Sequence, residues 1–248
     1  MNALRGCWRL AKALAVVLAG WLTIVFVFPR LSVLQRQKRV QGWAQQMLQV
    51  LGIVLEVRGD AGAQGPLLLV ANHISWLDIL VIHAARHCRF VSKSDVKAWP
   101  LIGRLATGGG TLYIERESRR DAMRVVHRMA DSLHSGEILA VFPEGTTSDA
   151  SALLPFHATL LQAAIAAGVP VQPVALRYFD ARRDVTPAVE FVGRTTLWQT
   201  VWNVASADGL GVHVSVLACE PTAGRERREL AAVLHQRIDA ALKMRTAR

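Results

Sequence analysis

Leu67-Leu68-Leu69-Val70-Ala71-Asn72-His73-Ile74-Ser75-Trp76-Leu77-Asp78 decides how the rest of the chain is read. Its first residues are a short, wholly apolar run bounded by turn residues, the pattern of a buried strand. After Asp78 a second apolar run, 79–85, is long enough to continue as a helix. An Asn, a His and an Asp therefore sit where a strand hands over to a helix, the place where open α/β sheets hold their ligands. On one regular helix, residues five apart point about 140° away from each other. His73 can meet Asp78 only if it lies in the turn and Asp78 in the first helical turn. A carboxylate reaching the imidazole would fix its tautomer and leave the other ring nitrogen to take a proton from a hydroxyl. The spacing leaves a second reading open, because Ser75-Trp76-Leu77-Asp78 also fits a capping box.

Working outward, the globular part begins near Gly52. Strands are expected at 53–57, 66–71, 88–92, 111–114, 138–142, 171–176, near 188–193 and at 212–218. Helices are expected at 79–86, around 100–105, and at 121–135, 159–167 and 197–206. A last amphipathic helix carries Leu230, Val233, Leu234, Ile238 and Leu242. Strands alternating with helices imply an α/β fold, a mixed, largely parallel sheet flanked by helices.

The first 51 residues read differently. Residues 13–28 form an uncharged run of 16, a little short of the roughly 20 residues that span a bilayer. It ends in Phe28-Pro29-Arg30 with no small-residue cleavage pattern, which favours an anchor or embedded helix over a removed signal peptide. A second helix places Val40, Trp43, Ala44, Met47, Leu48 and Leu51 at helical spacing. Residues 1–50 carry +7 of the net +10 charge and no acid. Basic residues flanking an apolar run suit anionic lipid headgroups rather than nucleic acid. The expected division is thus 1–51, a membrane-associated helical pair, and 52–248, a catalytic domain. Cys7, Cys88 and Cys219 match no zinc or disulfide spacing, and a reducing compartment follows.

Two further polar clusters end expected strands. Gly110-Thr111-Leu112-Tyr113-Ile114-Glu115-Arg116 puts an Arg just past its strand, where its planar donors could grip a phosphate, or pair with a neighbouring acid. Phe142-Pro143-Glu144-Gly145-Thr146-Thr147-Ser148 gives a turn with one carboxylate, exposed N–H groups and several hydroxyls, a set able to hold a polyol or phosphate.

With these blocks in order, the chain resembles the glycerolipid acyltransferase family, which includes the 1-acylglycerol-3-phosphate acyltransferases. The resemblance rests on Asn72, His73 and Asp78; on Gly110, Tyr113 and Arg116; on Phe142 to Thr146; and on Val169-Pro170-Val171-Gln172-Pro173-Val174. It implies His73 as general base and Asp78 as its orienter. Asn72, Tyr113, Arg116, Glu144, Gly145, Thr146 and Thr147 would line the substrate site. The implied reaction carries an acyl group from acyl-CoA or acyl carrier protein to a lysolipid hydroxyl, with 1-acyl-sn-glycerol-3-phosphate as acceptor and phosphatidic acid as product. No cofactor, metal or nucleic acid is expected; the partners are membrane lipids, the lysolipid acceptor and the acyl donor. The implied location is a bacterial inner membrane, catalytic domain on the cytoplasmic side. Two positions depart from the family: Thr147 stands where many members have Arg, and His157 where Lys is common. Less positive charge there raises lyso-ornithine lipid as an alternative acceptor.

Three rivals differ in class. A thioesterase would use the same pair to activate water. A metal-dependent oxidase or desaturase is suggested only by His83 and His87, an i, i+4 pair expected as helix-surface or capping residues, which supplies too few ligands. A non-catalytic lipid-binding protein would need no His73 at all.

Overall fold

A computed structural model describes residues 2–62, 64–114 and 119–244. Helix α1, Asn2–Leu22, runs on through a π-helical turn, Thr23–Val27, and a 3-10 turn, Phe28–Arg30. Helix α2, Val33–Leu51, opens on a full capping box between Ser32 and Gln35 and stops at Gly52, whose φ of 71° closes the helix as few other residues could. Its expected periodic face is buried at Val40, Ala44, Met47, Leu48 and Leu51.

The strands are β1 Val54–Arg58, β2 Leu67–Ala71, β3 Arg89–Lys93, β4 Leu112–Ile114, β5 Ile138–Val141, β6 Val171–Phe179 and β7 Gly211–Val216. Between them lie α3 Leu77–Ala85, α4 Ile102–Gly108, α5 Arg119–His134, α6 Gln162–Ala167 and α7 Leu197–Ser206, with α8 Arg227–Lys243 closing the chain. They form one sheet in the order β1-β7-β6-β2-β5-β3-β4. Every pairing is parallel except β6 with β7. The fold is the expected mixed, largely parallel α/β sheet.

β2 shows why. All five of its residues are buried, as a strand covered on both faces requires. Leu67, Leu69 and Ala71 face a core shared with α1, α2, α3 and α7. Leu68 and Val70 face a second core built with α5, α6 and α8. Because β2, β3, β4, β5 and β6 run in one direction, the segments that follow them emerge at the same edge of the sheet. The residues after β2 and after β5 therefore meet.

Two expectations fail. The strand near 188–193 is absent; Pro187–Val189 is a 3-10 turn capped by Thr186, whose hydroxyl accepts the Ala188 N–H at 3.2 Å. Pro187 pre-sets φ for that turn and has no N–H for a ladder. His83 does not lie on a helix surface: it is buried, 7% exposed, in α3 under Phe90. α3 is covered by α2, so it has little solvent face to give.

Candidate active site

His73 follows β2 directly and Asp78 lies in the first turn of α3. His73 Nδ1 is 2.8 Å from Asp78 Oδ2. The same oxygen accepts the N–H of Ile74 at 2.7 Å and of Ser75 at 2.9 Å. The turn thus wraps around the carboxylate. The capping box is half formed: Asp78 reaches back to the Ser75 N–H, but the buried Ser75 hydroxyl has no partner. Both readings of Asp78, cap and orienter, describe the one oxygen.

Asp78 is fully buried. A carboxylate there needs donors on every lone pair it can fill. The other oxygen, Oδ1, accepts the Tyr178 hydroxyl at 2.7 Å. Tyr178 comes from β6, 1% exposed. Burial first, and the neighbouring Asp78 charge second, push the Tyr178 hydroxyl well above its ordinary range, so it stays a donor. A carboxylate that accepts at Nδ1 places the imidazole proton there and leaves Nε2 able to accept. The imidazole is stacked on Phe142, centroids 4.0 Å apart and planes 10° apart, and is 19% exposed.

The backbone of His73 is pinned from the β5 side. Its N–H donates to Glu144 Oε1 at 2.6 Å, and its carbonyl accepts the N–H and hydroxyl of Ser148 at 2.8 and 3.2 Å. The second Glu144 oxygen accepts the Leu154 N–H at 3.0 Å. Glu144 is 3% exposed, and burial raises its carboxyl above the ordinary range even though the two N–H groups work against that. Both oxygens are spent on the protein's own backbone. Asn72 is likewise buried. Its amide donates to the Leu176 carbonyl at 3.0 Å and accepts the Leu176 N–H at 2.7 Å. The side chain continues the β2–β6 ladder one step past its last backbone pair, Ala71 with Val174.

The other expected site residues spread out. Gly145, at φ 72°, and Thr146 are exposed beside the turn, and the Gly145 N–H closes it onto the Phe142 carbonyl at 3.2 Å. The Thr147 hydroxyl donates to the Phe191 carbonyl. His157 lies over the turn: its N–H donates to the Pro143 carbonyl at 2.8 Å, and a Cβ placed on Gly145 would stand 3.2 Å from its ring. The Tyr113 hydroxyl is turned to α4, donating to the Gly103 carbonyl at 3.1 Å and standing 3.0 Å from Thr107 Oγ1. It joins no hydrogen bond to the His73 cluster. Arg116 lies outside the described residues. Among the described residues no three His, Cys, Asp or Glu side chains converge as a metal site; His83 and His87 stand 5.7 Å apart between ring centroids with no third ligand.

Sequence reasoning missed Tyr178 and Ser148. Tyr178 lies a hundred residues from Asp78, near the end of β6 between Arg177 and Phe179. A tyrosine just past the apolar run Val174-Ala175-Leu176 is the available signal, since a buried phenol needs a partner.

Comparison with known proteins fits this geometry. The family profile described as Acyltransferase matches residues 37–177. The chain is 38% identical to a lyso-ornithine lipid O-acyltransferase of Pseudomonas aeruginosa, covering 98% of this chain and 95% of that one. It is 36% identical to a 1-acyl-sn-glycerol-3-phosphate acyltransferase of Neisseria meningitidis, over 78% and 76%. The crystal structure of the 1-acyl-sn-glycerophosphate acyltransferase PlsC of Thermotoga maritima shares the fold, with a TM-score of 0.69 at 20% identity, over 97% of this chain and all of that one. With the profile covering more than half the chain and full-length relatives this similar, the chain belongs to the glycerolipid acyltransferase family.

Proposed function

We propose that this O-acyltransferase moves a fatty acyl group from the thioester of acyl-CoA or acyl carrier protein to the free hydroxyl of a lysolipid. The observation that carries the reading is the His73–Asp78–Tyr178 chain, which leaves Nε2 of a partly exposed imidazole as the proton acceptor. Nε2 takes the hydroxyl proton as that oxygen bonds to the thioester carbon. The tetrahedral adduct then collapses, the C–S bond breaks, and the thiolate leaves with the proton His73 holds. No enzyme-bound acyl group is formed, and the chain has no Gly-x-Ser-x-Gly turn to supply a nucleophile. No cofactor is needed for this exchange.

Asn72 and Glu144 act in this reading as positioning residues, holding the backbone on either side of His73. Gly145 and Thr146, exposed next to it, line the acceptor site, with Arg116 as its cation and Tyr113 at its α4 border. With 1-acyl-sn-glycerol-3-phosphate as acceptor the product is phosphatidic acid. Lyso-ornithine lipid is the second acceptor, favoured by Thr147, whose hydroxyl is committed to Phe191, and by His157 beside Gly145. Both stand where cations would serve a phosphate.

We read 1–51 as the membrane-facing pair and 52–248 as the catalytic domain, the two sharing one core. Within Ala3–Arg30 the most apolar 18-residue window has a mean hydropathy of 2.3, and only 11% of it is buried. Arg5 pairs with Asp208 at 2.7 Å and, at 2.9 Å, donates to the Ser206 carbonyl at the end of α7; Arg9 donates to the Ala205 and Ala207 carbonyls. These bonds hold α1 along the protein, which favours embedding in the cytoplasmic leaflet of a bacterial inner membrane over crossing it.

The test gives the full chain a panel of lysolipids with acyl-CoA or acyl carrier protein and identifies products by mass spectrometry. Acylated lysolipid is expected, with thiol release dependent on the acceptor. Thiol release without acceptor would make it a thioesterase. His73→Ala is expected to lose roughly 10² to 10⁴ in turnover; near-normal turnover would remove His73 as the base.

A further inference from the structure

β3 leaves the sheet at the reaction edge and leads, through a 3-10 turn at Ser94–Ala98, to Trp99-Pro100-Leu101 and the start of α4 at Ile102. This tip is apolar and exposed: Trp99 47%, Leu101 38% and Ile102 42%, with Pro100 exposed between them. It is also rigid. Trp99 N–H bonds to the Val96 carbonyl at 3.2 Å, Gly103 N–H to Trp99 at 2.9 Å and Leu105 N–H to Leu101 at 3.0 Å. A Cβ on Gly103 would stand 2.2 Å from the Lys97 carbonyl oxygen, so the tip is folded tightly on its own base. Leu101 has φ 60° and ψ −55°, and the Ile102 N–H donates to the Pro100 carbonyl at 2.6 Å, a γ-turn of the rare and strained kind. A tight, strained turn that presents Leu, Trp and Ile outward has no use for them in water.

The surroundings say what covers it. α4 lies against the end of α1: the Arg104 guanidinium is 5.9 Å from the Trp21 ring centroid, and Gly108 sits against Ile24. In the apolar segment that meets α4, Leu18, Leu22 and Phe26 are exposed as well. Lys97 and Arg104 are exposed on either side of the tip, and Asp95 is the acid among its neighbours. Tryptophan flanked by cations at an apolar edge is the composition of a membrane interface with anionic headgroups.

We propose that the Trp99–Ile102 tip inserts into an anionic bilayer as a contact separate from α1, and so admits the lysolipid at the edge where His73 stands. The admission step rests on the lysolipid reading; insertion does not. The experiment uses the full chain with mixed phosphatidylethanolamine and phosphatidylglycerol vesicles. Trp99 insertion is read as the brominated-lipid quenching that wild type shows and Trp99→Phe loses. Trp99→Ser/Ile102→Ser is then assayed with a long-chain lysolipid in vesicles and with a short-chain, monomeric one. The expected result is a KM for the vesicle-borne acceptor raised about tenfold, and turnover of the monomeric acceptor within about twofold of wild type. An unchanged vesicle KM with no quenching difference would overturn the proposal. So would a raised KM confined to acyl carrier protein, which would make the tip a protein-docking site. If wild type acylates neither lysolipid, the functional reading fails while the quenching still decides insertion.

Discussion

Replacing Tyr178 by Phe removes one hydroxyl and keeps the ring that packs in the sheet. The perturbation falls on Asp78 Oδ1, which takes that hydroxyl at 2.7 Å, while Oδ2 keeps its bonds to His73, Ile74 and Ser75. A hydrogen bond to a charged group contributes about 1.5–3 kcal/mol, and the site has no exposed surface through which bulk water could replace it. Folding stability is expected to fall by about that much, lowering Tm by roughly 3–12 °C for a chain of this size. Part of the loss reaches catalysis, because the freed carboxylate can rotate away from the geometry that orients His73. If about 1–2 kcal/mol of it appears in the transition state, kcat drops roughly 5- to 30-fold, far less than His73→Ala. The KM for lysolipid stays put, since Tyr178 is buried behind Asp78. Steady-state thiol release measures kcat and KM, and thermal unfolding gives Tm. A variant with a lowered Tm but wild-type kcat would show that Tyr178 only fills space and braces the fold.

Glu144→Gln swaps one acceptor oxygen for an NH₂ group facing the N–H of either His73 or Leu154; a loss of about 1–3 kcal/mol in stability and reduced kcat are expected, and unchanged activity would argue against Glu144 as a positioning residue. Asn72→Leu leaves both Leu176 backbone groups without their side-chain partner; thermal unfolding is expected to show a loss of about 2–6 kcal/mol from two unpaired groups. Burial, then the nearby His87, pushes His83 down to about 3. Unfolded, it would take up a proton near 6.5. Stability is therefore full above 6.5 and lost as pH falls toward 3, by at most about 1.4 kcal/mol per pH unit for this group. Tm measured from pH 6.5 to 4 should fall less steeply in His83→Leu, and parallel slopes would refute the assignment.

Much of the architecture is legible in the chain because local patterns carry it. The unbroken apolar run 67–70 marks β2 as a strand covered on both faces, and the helical spacing from Val40 to Leu51 marks α2. His73 and Asp78 are five residues apart, so one turn settles whether they meet. The strand expected near 188–193 shows the limit of such patterns, since Pro187 and the Thr186 cap turned the segment into a 3-10 turn. His83 shows another: helical spacing does not say which helix lies on top, and α2 does.

By itself, then, the sequence determined the element types, the parallel α/β class and the His–Asp pair, all of which depend on residues within a turn or two of each other. Only the tertiary structure decided what the remaining polar residues do. Glu144 reads as a substrate-lining acid at a strand end, yet the parallel alignment of β2 and β5 brings it beneath His73, where backbone N–H groups take both oxygens. Tyr178 lies past the run 171–176 that reads as a strand, yet β6 extends through it and the β2–β6 pairing carries it to Asp78. The physical reason is the same in both cases. A buried polar atom is defined by the partner that satisfies it, and these partners lie 71 and 100 residues away along the chain.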